Sequence, residues 1–115
     1  MKNNRKFRRV NLAKHPEIYD AQSGKLLGKM VDISTDGFKM VTNDEMEQGK
    51  EYFFNIIVPA ERYSEKKYVD VKARIRWCDK DDNPELLTSG CYLVEIDALG
   101  RLDLAAIMLN GSKPR

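Results

Sequence analysis

Val69-Asp70-Val71-Lys72-Ala73-Arg74-Ile75-Arg76-Trp77-Cys78 carries the clearest period in the chain. Val69, Val71, Ala73, Ile75 and Trp77 alternate with Asp70, Lys72, Arg74, Arg76 and Cys78. Side chains of a strand point alternately to its two faces, so this is a strand with one face in the core and one in water. By that period Trp77 continues the inward face. Downstream, residues 79–89 are a polar loop and Gly90 to Asp97 is the partner strand, with Tyr92, Val94 and Ile96 inward. Upstream, residues 60–67 are a charged loop, and Glu51 to Val58 is a nearly continuous apolar run stopped by Pro59. Such a run suits a strand with both faces covered.

The N-terminal half extends the pattern. Gly37 to Val41 is a short strand, followed by polar residues 43–50. Leu12 to Ala21 is the first strand, with Pro16 removing a donor and marking an edge or bulge. Ser23-Gly24 reads as a two-residue hairpin turn leading into Lys25 to Ile33. That register sets Asp32 opposite His15, Ser34 opposite Ala13 and Gly37 opposite Val10. After Gly100 the period becomes helical, with Leu102, Ala105, Ile107, Met108 and Leu109 on an amphipathic helix that Asn110-Gly111 stops. The class is therefore all-β: a six-stranded antiparallel β-barrel with a short C-terminal α-helix over one mouth. Closure removes the edges that an open sheet would have to protect. Residues 1–9 form a flexible basic arm, 10–111 the single domain and 112–115 a tail.

At 115 residues the chain has one modest core. No run reaches the length of a membrane span and no signal peptide is present, so a cytoplasmic protein is expected. Cys78 and Cys91 fit no zinc spacing and the single His15 is remote from both, so reduced thiols and no metal are expected. The charge is uneven. Residues 1–14 hold Lys2, Arg5, Lys6, Arg8, Arg9 and Lys14 and no acid, while the rest has 14 basic against 18 acidic residues. A basic arm on a mildly acidic body seeks an anion.

Asp32-Ile33-Ser34-Thr35-Asp36-Gly37 supplies the second half of a site. The predicted hairpin returns this hexapeptide to the end where the arm joins the barrel. Arginine presents a planar fork of donors that suits phosphate oxygens or guanine O6 and N7. Arg5 and Arg9, four apart, are placed to hold a phosphate and a base edge together. Asp32 is placed to accept from guanine N1–H and the exocyclic amine, Ser34 adds a short polar group, and Gly37 leaves room. Positive and negative partners thus divide between phosphate and base, which favours guanine over adenine.

Arg5-x-x-x-Arg9, then Asp32-x-Ser34-x-x-Gly37, then a barrel and a late helix, resembles a PilZ domain along essentially the whole chain, including the strand Gly90-Cys91-Tyr92-Leu93-Val94. Members of that family use these two motifs as the receptor site for the bacterial second messenger cyclic di-GMP. The resemblance implies that Arg5 and Arg9 contact guanine and phosphate and that Asp32, Ser34 and Gly37 complete the site. Arg8 and Trp77 are additional candidate contacts, Trp77 by stacking on a purine from the rim of the barrel. The implied role is that of a stand-alone receptor without catalytic activity or cofactor, whose arm orders on binding and signals in trans to a protein effector. Motility, adhesion and exopolysaccharide production are the outputs that the resemblance suggests.

Two rival readings belong to other classes. One is a PilZ-like adaptor that works by protein contact alone. The other is a small barrel binding RNA or single-stranded DNA, which requires aromatics on one outer face; the strand from Val69 to Cys78 instead shows Lys72, Arg74 and Arg76 there. An enzyme is the weakest reading, since no nucleophile accompanies His15.

Overall fold

The computed structural model describes residues 10–58 and 67–110. The arm with Arg5, Arg8 and Arg9, most of the charged loop and the tail lie outside the described residues. The elements are β1 (Val10–Asn11), β2 (Glu17–Asp20), β3 (Leu26–Ile33), β4 (Gly37–Thr42), β5 (Glu51–Val58), β6 (Lys67–Lys80), β7 (Leu87–Ile96) and α1 (Ala98–Asn110). All pairings are antiparallel, and the order β3-β2-β5-β6-β7-β4 closes through β3–β4 pairing into a six-stranded barrel, with β1 as an extra strand on β3.

The expected first strand is split, and its register is corrected. Proline has no N–H to give a ladder. Pro16 accepts from Met30 N–H at 2.8 Å, Leu12 N–H donates to Val31 at 3.0 Å, and the exposed residues 13–15 loop out between those bonds. Asp32 consequently lies opposite Asn11 rather than His15, and Val10 opposite Ile33 rather than Gly37. The β2–β3 turn is also longer than two residues. Asp20 N–H bonds the Lys25 carbonyl, the Asp20 carboxylate accepts from Ser23, and Gly24 takes φ +77°.

Inside the barrel, Ile18, Met30, Ile33, Phe38, Met40, Phe54, Ile56, Val71, Ala73 and Ile75 form the core. Phe38 meets Phe54 edge-on at 6.3 Å, and Tyr52 stacks on Phe54 at 5.7 Å. Two strand readings need correction. β5 is wet on one face: Phe53 is exposed, and the Lys72 ammonium lies 5.6 Å from its ring. In β7, Tyr92 and Val94 face outward while Cys91 is buried and Leu93 packs against the core. A register shift between Lys72 and Ala73 leaves Val94 without a partner, so no single alternation describes that strand.

The helix begins at Ala98, before Gly100. Asp97 caps it by accepting from Gly100 N–H at 2.6 Å. A Cβ on Gly100 would lie 2.8 Å from both Ile96 Cγ1 and Val69 Cγ1, so the bare backbone lets the first turn sit close on the barrel. Leu104 and Ile107 enter the core, whereas Leu102 and Leu109, expected on the buried stripe, are exposed.

Candidate functional site

The hexapeptide is the tight link between β3 and β4. Asp32 and Ile33 end β3, and Gly37 starts β4. Ser34 N–H donates to the Gly37 carbonyl at 2.8 Å, leaving Thr35-Asp36 as the turn. The Ser34 hydroxyl donates to Asp36 Oδ1 at 2.7 Å, with the Gly37 carbonyl a longer 3.3 Å away. Leu93 N–H then binds the Asp36 carbonyl at 2.9 Å, tying the turn to β7. Gly37 has an ordinary negative-φ backbone; what it needs is the missing side chain, because a Cβ would lie 2.1 Å from the Cys91 carbonyl oxygen.

Asp32 points to the outer face yet is only 4% exposed. Lys39 Nζ lies 3.4 Å from its Oδ2. Lys39 follows from the hairpin: with Thr35-Asp36 as the turn, Asp32 pairs with Lys39. The same loop-length argument applied to the hexapeptide would have found this residue from sequence. Cross-strand pairing carries the row onward, from Asn11 through Asp32, Lys39 and Gly90 to Trp77.

Trp77 belongs to this outer row and not to the inward face. A register shift between Ile75 and Trp77 leaves Arg76 as the extra residue, which reverses the alternation for the rest of the strand. The indole is half-buried and lies over Gly90, where a Cβ would stand 2.5 Å from its Nε1. The Arg76 guanidinium sits 4.3 Å from the neighbouring Tyr92 ring.

A groove of about 750 Å³ runs along β3 and β4 beside this row, with Asp32, Lys39, His15, Val41, Asp81 and Leu86 among its lining residues. Another, of about 570 Å³, lies over Phe53 and Lys72 and holds none of the predicted site residues. The described chain begins beside the hexapeptide, since Val10 pairs with Ile33, the neighbour of Ser34. Asp32, Ser34 and Gly37 are thus brought together at one end of the hairpin, with Trp77 reached across β4 and β7. Arg5, Arg8 and Arg9 lie outside the described residues.

Cys78 and Cys91 are free thiols, and burial first, then the neighbouring Cys78, pushes Cys91 up to about 12. Among the described residues, no cluster of His, Cys, Asp or Glu is arranged to hold a metal ion, and no helix is long and apolar enough to cross a membrane.

Several solved structures share the fold. The inhibitor of motility MotI/DgrA of Bacillus subtilis superposes with a TM-score of 0.75 at 17% identity, covering 94% of this chain and 50% of that one. This chain therefore spans half the length of MotI. The PilZ domain of Escherichia coli YcgR, solved with c-di-GMP, gives 0.64 at 10% identity, covering 93% and 90%. YcgR in complex with c-di-GMP gives 0.66 at 11%, covering 93% and 45%. No curated protein matches this chain in sequence. The PilZ domain model matches residues 3–109, nearly the whole chain and both motifs, and the chain belongs to the PilZ domain family.

Proposed function

We propose that this chain is a cyclic di-GMP receptor without catalytic activity, acting in the cytoplasm on a protein partner in trans. The observation that carries this reading is Asp32: a nearly buried carboxylate on the outer face, at the edge of a 750 Å³ groove and opposite Asn11, two residues after Arg9. A carboxylate accepts both donors of a guanine edge, N1–H and the exocyclic amine. Arg5 and Arg9 take the phosphate and the Hoogsteen edge, while Ser34 and Gly37 hold the turn in place. The Trp77 indole and Arg8 add contacts at the flanks; stacking on a base is worth about 1–3 kcal/mol. Ordering the basic arm costs conformational entropy that the charge-assisted bonds must exceed. The arm ordered over the barrel then forms the surface that an effector in motility, adhesion or exopolysaccharide control reads.

Calorimetric titration with cyclic di-GMP, cyclic di-AMP and GTP, on wild type and Arg9→Ala, tests the reading. Guanine-selective binding lost in Arg9→Ala is expected. No heat and no thermal shift at high cyclic di-GMP would refute it, because a ligand of the folded state must stabilise that state. The second reading is an adaptor that contacts protein irrespective of nucleotide; unchanged partner binding by Arg9→Ala would select it.

A further inference from the structure

Helix α1 has two apolar faces, and the barrel covers only one. Leu104 and Ile107 are buried in the core. On the other side Leu99, Leu102 and Leu109 are 72%, 67% and 82% exposed. Ala98, Ala105 and Ala106 are exposed between them, and Arg101 is the one exposed charge on the described helix. A surface helix ordinarily turns a charged or polar face to water, and a helix apolar all round is ordinarily covered.

The spacing of the exposed residues specifies what covers it. Ala98, Leu102, Ala105 and Leu109 are separated by four, three and four positions, the a/d seam that receives another helix. Small and large residues alternate along the seam. When two copies of α1 run antiparallel about a two-fold axis, Leu109 falls on the partner's Ala98 and Leu102 on the partner's Ala105. Both leucine layers then meet alanine, and Arg101 stands on the flank of the seam, outside its a/d layers. A parallel pair would instead set leucine on leucine and leave gaps at the alanines. The remaining segments of this chain do not fit the seam: residues 1–9 offer Met1 and Phe7 among basic residues, 59–66 are mostly charged or polar, and 111–115 contain no large apolar residue.

We propose that the outer face of α1 is the contact surface for a second copy of this chain, joined as an antiparallel helix pair. Such an interface is isologous, as most homodimers are. The seam is about 20 Å long for a helix of this length. That is short beside a standard interface, which buries about 800 Å² per partner, so the dimer is weak and concentration-dependent.

The test is sedimentation equilibrium of the full chain without nucleotide, which makes it independent of the receptor reading. Wild type is expected to pass from monomer to dimer between micromolar and millimolar concentration. Leu102→Glu and Ala105→Lys are each expected to stay monomeric with unchanged thermal melting, since both positions are exposed. Mixing the two variants is expected to restore a heterodimer, because the antiparallel register sets the two new charges against each other. A wild type that stays monomeric at millimolar concentration overturns the proposal. So does a wild-type dimer that either substitution leaves intact, or a mixture of variants that fails to pair.

Discussion

Gly37→Ala separates two physical roles for the motif glycine. The backbone at Gly37 is in the ordinary negative-φ region, where alanine is no worse than glycine and, by restricting the unfolded chain, stabilises by about 0.4–1 kcal/mol. Against that stands a contact: the new methyl carbon would lie 2.1 Å from the Cys91 carbonyl oxygen. Even a close carbon–oxygen approach between strands is about 3.3–3.6 Å, so more than an ångström must be relieved. The obstacle is backbone of β7, which is held by β4 on one side and β6 on the other, and it cannot yield as a flexible side chain would. Overpacking of this kind costs about 1–3 kcal/mol and here falls at the upper end. The expected net loss is about 2 kcal/mol, or about 8 °C in melting temperature for a domain of this size. Urea unfolding of the nucleotide-free protein measures it. A Gly37→Ala variant as stable as wild type, or more so, would refute the packing argument and leave Gly37 with a purely ligand-facing role.

Gly90→Ala meets a side chain instead of backbone, the Trp77 indole at 2.5 Å, so the ring moves aside at a cost of about 1 kcal/mol. Trp77 is the chain's single tryptophan, so its fluorescence reports the move directly; an unchanged emission spectrum would contradict the placement of the indole over Gly90. Glu51 accepts from Arg74 at 2.6 Å with Lys72 3.4 Å away, and the Arg74 hydrogen bond, then Lys72, holds its carboxyl below the ordinary 4.5. A lowered carboxyl stabilises the fold fully above its unfolded value and loses that contribution as pH falls through its folded value. Glu51→Gln is therefore expected to flatten the acid limb of the stability–pH curve, and an identical limb would count against the pairing.

What was readable along the chain followed from local periodicity and from turn residues. The alternation from Val69 to Ile75 describes residues that do sit in the core, and the barrel class, the late helix and the polar hexapeptide between two strands follow from patterns a few residues long. Lys39 was within reach too, through the two-residue turn Thr35-Asp36. Other positions were not legible. Trp77 left the inward face because Arg76 is an extra residue, and a bulge is recorded only in the pairing with β7. His15 lost its place opposite Asp32 because the chain loops out before Pro16, by an amount that the residue types do not state. On α1, both faces are apolar, and hydrophobicity alone does not say which one the barrel takes.

The sequence by itself thus determined the class of the fold, its run of strands before a late helix, and the residues proposed for the site: Arg5 and Arg9 ahead of the barrel, then Asp32, Ser34 and Gly37 around the link between β3 and β4. These depend on the side-chain period of two or 3.6 and on the backbone restrictions of glycine and proline, which act within a few residues. The tertiary structure decided which residues stand beside them. The indole over Gly90, the carbonyl of Cys91 against Gly37 and the open leucine face of α1 all arise from register between strands or from packing of the helix on the barrel. Such contacts join residues distant in the chain, and one extra residue in a strand turns every later side chain to the opposite face.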